Sequence, residues 1–123
     1  MKKLTTIVSA VLALGLGTSA SAQVNLTAET ASPSSAPGVS VIALSEAAAK
    51  YNVANMQVTT GQTLTNSVQN VAEGKSDVAA APFVLPFLLS RAVGPYAKVG
   101  KEKGAELASQ LAVLYTCLLY TSP

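Results

Sequence analysis

Between Met56 and Pro82 the apolar positions change their spacing three times, and the rest of the chain is arranged around that stretch. Met56–Thr60 (MQVTT) is a short β-branched run, which predicts a strand. Gly61-Gln62-Thr63 follows as a polar turn. Leu64, Val68, Val71 and Ala72 then fall at i, i+4, i+7 and i+8, a single helical face. Gly74 stands where such a helix takes its C-terminal cap. Asp77–Ala81 predicts a second small strand, and Pro82 stops it. Strand, helix and strand joined this tightly form a βαβ unit with parallel strands and a right-handed crossover. Parallel sheets collect ligands beyond the carboxyl ends of their strands. Here those ends are Thr60–Thr63 and Ala80–Pro82.

Upstream, Val24–Glu29 alternates Val24, Leu26 and Ala28 against Asn25, Thr27 and Glu29, which predicts a first strand. Thr30–Gly38 (TASPSSAPG) is a loop by composition. It is either a plain connector or a ligand loop on the same sheet edge as Gly61–Thr63. Val39–Lys50 predicts a helix with Val39, Ile42, Ala43 and Ala47 inward and a Glu46–Lys50 pair outward. Pro37 suits its first turn. Two overlapping strand–helix–strand segments predict an α/β fold with helices on both faces of a mostly parallel sheet.

Downstream, Phe83–Val93 is apolar nearly all round, with Pro86 opening or kinking a helix. It is a core or domain-facing helix, or a face for a second lobe or a membrane partner. Gly94-Pro95 breaks the chain, and Lys98–Lys103 is a solvated link that starts another helix through Glu106, Leu107 and Leu111. Gln110–Thr116 (QLAVLYT) predicts a fourth strand. Cys117–Pro123 has no cap and no partner segment, and reads as a non-native or truncated tail.

The 123 residues allow one small domain. The N-terminus changes the picture of charge. Met1-Lys2-Lys3, the apolar run Leu4–Gly17 and the small-residue site Ala20-Ser21-Ala22 form the three parts of a secretory signal peptide, residues 1–22. The run is shorter than the ~20 residues that span a bilayer. Removing residues 1–22 takes away Lys2 and Lys3 and leaves six of eight basic residues against six acids, so the mature net charge is 6 − 6 = 0. No basic field for nucleic acid remains. Histidine is absent and Cys117 is the single cysteine. That excludes metal sites built on His and Cys, and any Ser-His or Cys-His nucleophile. The six acids are scattered, so no catalytic carboxylate pair is expected, and no cofactor.

Gly61, Thr63, Asn66, Gly74 and Asp77 together resemble the Gly-x-Ser … Asn … Gly-x-x-Asp block of the TAXI-family solute receptors, the extracytoplasmic binding proteins of TRAP transporters. Leu114-Tyr115 is similar to that family's Leu-Tyr segment, and the resemblance runs from Val24 to about Thr116. Two features depart from it. Ser and Pro occupy Ser32–Gly38 where the family has glycines, and the chain is much shorter than a two-lobed receptor.

The resemblance implies a type II periplasmic-binding-protein-like fold, with residues 23–116 as a partial first lobe, truncated before the second. It implies a periplasmic receptor for a small organic acid, glutamate or dicarboxylate-like, that delivers to the membrane subunits of a TRAP transporter. Thr30, Ser34, Ser35, Gly61, Gln62, Thr63 and Ala81 are its expected ligand contacts. From the residues alone, Gly61-Gln62-Thr63 is either a ligand turn or a capping turn with Thr63 as N-cap. Asp77 is the turn residue expected before a strand. An effector-sensing domain on the same fold, or a periplasmic enzyme, are the alternative functions.

Overall fold

The computed structural model describes residues 23–116. The expected leader, 1–22, and the expected tail, 117–123, lie outside the described residues. β1 (Val24–Glu29) pairs in parallel with β2 (Ala54–Thr59) along its whole length, Val24 opposite Ala54 and Glu29 opposite Thr59. Its other edge pairs with β3 (Val78–Ala79), also in parallel, Ala28 opposite Val78. Among the described residues the result is an α/β fold with an open, all-parallel sheet in the order β2-β1-β3 and four α-helices. The chain moves one way across the sheet from β1 to β2 and the other way from β2 to β3. Right-handed connections of opposite direction carry α1 (Ala36–Lys50) and α2 (Leu64–Ala72) to opposite faces.

Alternation decides which face is greasy. Leu26, Ala28, Ala54, Met56 and Val58 are buried or half-buried on one side, where Val41 of α1 is also buried. Asn25, Thr27, Asn55, Gln57 and Thr59 are exposed on the other. There the Asn55 side-chain amide donates to Asn25 Oδ1 at 3.1 Å. The second face is reached by α2 at its rim, where Asn70 Nδ2 donates to both oxygens of Glu29.

α2 builds a separate core. Val68 and Ala72 pack with Leu85 and Leu89 of α3 (Val84–Arg91), Tyr96 of the 3-10 turn Gly94–Tyr96, and Leu107 of α4 (Lys101–Ser109). The helices α3 and α4 meet closely at Gly104, where a Cβ would stand 2.4 Å from the Leu89 carbonyl oxygen. The α2 terminus is a Schellman motif: Gly74 N–H donates to Val71 O and Lys75 N–H to Asn70 O, with Gly74 at φ +73°. It sets the chain up to re-enter the sheet. At that entry Asp77 Oδ2 accepts from the Thr27 N–H at 2.7 Å and from Thr27 Oγ1 at 2.9 Å. These bonds hold the Asp77 carboxyl below its ordinary range, the main-chain bond from Thr27 first.

Several expectations are corrected. The fourth strand does not form. Gln110 closes α4, and 111–116 carry no regular structure, because the segment runs beside α1 rather than beside a strand, with Tyr115 Oη donating to Ser40 O at 3.4 Å. β3 is shorter than Asp77–Ala81, since its pairing with β1 ends where β1 ends. α1 starts at Ala36, because Ser35 caps it and Pro37 fits its first turn. Its inner face is Gly38 and Val41, whereas Val39, Ala43 and Ala47 are exposed. No ion pair joins Glu46 and Lys50 among the described residues, and the Lys50 ammonium sits 5.6 Å from the Tyr51 ring centre. α3 buries one stripe, Leu85 and Leu89, and leaves Phe83, Val84 and Phe87 in solvent.

Candidate functional site

The loops beyond β1 and β2 are tied to each other before either reaches its helix. Thr30 N–H donates to Thr59 O at 3.0 Å, Gly61 N–H to Ala31 O at 3.0 Å, and Gln62 N–H to Thr30 O at 3.1 Å. The ladder thus continues past both strands and delivers the chain across β1 to the start of α2. Gly61 has φ +84°, a backbone state that favours glycine. Nothing lies within 4 Å of where its Cβ would be, so conformation rather than crowding requires glycine there.

The two helices that begin at this sheet edge differ at their first turns. α1 is closed: Ser35 Oγ accepts from Gly38 N–H at 3.2 Å, and Ser35 O from Val39 N–H at 2.8 Å. α2 is open. Thr63 holds the N-cap position with extended backbone, yet its hydroxyl makes no capping bond and only meets Thr65 Oγ1 at 3.4 Å. The first helical bond is Ser67 N–H to Thr63 O at 3.0 Å. The N–H groups of Leu64, Thr65 and Asn66 therefore have no acceptor among the described residues. Three donors at the positive end of a helix attract an anion.

Two hydroxyls near this turn are fully buried and unpaired. Thr30 Oγ1 belongs to the residue whose carbonyl holds Gln62, and Ser67 Oγ lies on the first turn of α2. A buried hydroxyl without a partner is costly. Glu29, half-buried on the neighbouring face, has Asn70 as its partner.

The structure brings Thr30, Gly61, Gln62 and Thr63 together by those main-chain bonds. In doing so it commits the Gly61 and Gln62 amides to Thr30 and Ala31, leaving the Gln62 side chain, the Thr63 hydroxyl and the α2 amides for a ligand. Ser35 is engaged as the α1 cap. Exposed Ser34 has its hydroxyl 3.0 Å from Ser32 Oγ and borders an apolar trough of about 470 Å³ along α1. Lined also by Val39, Ala43, Leu44 and Tyr115, that trough contains no charged group and does not suit an acid. Ala81 is exposed in the loop between β3 and α3.

Tyr96 is the residue that sequence reasoning missed. Its side chain is buried, and its hydroxyl donates to Thr65 O, in the first turn of α2, at 2.9 Å. Burial pushes its pKa up. An aromatic residue directly after Gly94-Pro95 was the available signal. Ser67 was also missed, although it falls inside the Leu64–Val68 stripe, where a polar residue is out of pattern.

Among the described residues, no three His, Cys, Asp or Glu side chains are grouped to hold a metal ion, and no helix is long and apolar enough to cross a membrane. Compared with known proteins, the chain matches no family model, no curated protein and no solved structure.

Proposed function

We propose that this chain forms one wall of an extracytoplasmic receptor for a small organic acid, of the type II periplasmic-binding-protein kind, serving a TRAP-type transporter in the membrane. The observation that supports it best is the uncapped first turn of α2. Its Leu64, Thr65 and Asn66 amides lack acceptors at the carboxyl edge of a parallel sheet, beside the Thr63 hydroxyl. Main-chain donors with a helix dipole behind them suit a carboxylate and require no counter-charge from a side chain. The reading assigns the site binding and no reaction. It takes the export route from the expected leader, and the transporter partner from the resemblance carried by Gly61, Thr63, Asn66, Gly74 and Asp77.

A receptor of this kind closes a second wall over its ligand, so binding by the described wall alone is expected to be weak. Thermal unfolding with glutarate, and with its neutral diamide, tests the proposal. At roughly ten times Kd, glutarate should add about 1.4 kcal/mol of stability and the diamide none. Equal stabilisation by both, or by neither, would contradict the carboxylate site. Micromolar binding would contradict the need for a second wall.

A further inference from the structure

The first turn of α2 has no cap of its own, yet it is held from below. We propose that Tyr96 is a positioning residue for the anion-binding turn. Its hydroxyl fixes the height and direction of the Leu64–Asn66 amides through the Thr65 carbonyl, and this role rests on the reading of that turn as the ligand site.

Four observations carry it. The Tyr96 ring is 1% exposed and packs in the cluster that contains Val68, Leu85, Leu89 and Leu107, so its place is set by α3 and α4. Its hydroxyl reaches the main chain of the second residue of α2 at 2.9 Å. Thr65 in turn meets Thr63 Oγ1 through its own hydroxyl at 3.4 Å, which links the buried ring to the candidate ligand hydroxyl. Finally, the Thr63 side chain gives the turn no capping bond, and the Tyr96 bond ties it to the α3–α4 core.

A helix end without a side-chain cap frays, and a fraying first turn spreads its donors over many directions. Holding the turn from a rigid core pre-organises those donors, which lowers the ordering cost of binding.

The test replaces Tyr96 by Phe in the full chain, which keeps the ring and removes the bond. Hydrogen exchange is read at the Ser67 amide, whose bond to Thr63 O closes the first turn, and at core amides of α4. The inference predicts that Ser67 exchanges faster in Tyr96→Phe by roughly two- to ten-fold beyond any change at α4, the range of one neutral hydrogen bond. A glutarate titration of the same sample should show affinity weakened by a similar factor. Val41→Ala, a core change on the α1 face of the sheet and outside the Tyr96 cluster, should lower stability while leaving both readouts at wild-type values once corrected for it.

Ser67 exchange that follows α4 in Tyr96→Phe would overturn the inference. So would unchanged glutarate affinity in a variant whose first turn has loosened. A wild-type chain that ignores glutarate while Ser67 still responds would instead remove the ligand reading and leave Tyr96 as a brace of α2, so the two failures are distinguishable.

Discussion

Replacing Thr30 with Val should stabilise the protein. The substitution exchanges one hydroxyl for a methyl group of similar size. Thr30 is 0% exposed and its Oγ1 has no partner among the described residues. Its main-chain bonds to Thr59 O and from Gln62 N–H do not involve the side chain and should survive. Burying an unsatisfied hydroxyl costs about 1–3 kcal/mol in mutational series, and the substitution recovers that cost. For a domain of this size each kcal/mol moves Tm by about 4–8 °C. Thr30→Val should therefore melt at least about 4 °C above the parent by far-UV circular dichroism. A variant less stable than the parent would mean that the hydroxyl is satisfied and that the argument from its orphaned state is wrong.

Other outcomes follow from the same contacts. Asp77 has its pKa lowered, so its contribution is present above the ordinary carboxylate range and lost as pH falls through the folded-state value. Acid titration of stability should accordingly flatten in Asp77→Ala, which also loses the Thr27 bonds at the mouth of β3. Gly104→Ala drives a Cβ against the Leu89 carbonyl oxygen and should cost about 1–3 kcal/mol in urea unfolding.

Much of the fold was legible because two segments carry strong periodicity. The alternation of Val24–Glu29 gave β1 its bounds, and the Leu64–Ala72 stripe gave α2 its bounds and its apolar face. α1 was legible as a helix but not in its orientation. Ala43, Ala47, Ala48 and Ala49 present similar small surfaces on every side, so the Gly38–Val41 face leaves little trace in the pattern. Gln110–Thr116 has strand composition, yet a strand needs an edge to pair with, and edges are decided by tertiary placement. The place of Gly61–Thr63 at the carboxyl edge of the sheet was legible, because a turn between strand and helix in a βαβ unit lands there. Which amides remain free there was not, since the bonds from Gly61 and Gln62 to Ala31 and Thr30 join residues far apart in the chain. The same separation hid the Tyr96–Thr65 bond.

The central claim is that an acid binds to main-chain amides at the start of α2. Amide-resolved NMR titration of the full chain with glutarate addresses it directly. The account predicts that the largest saturable shifts fall on Leu64, Thr65 and Asn66, with Thr63 beside them. Shifts confined to the α1 trough around Val39 and Leu44, or none at α2, would contradict it.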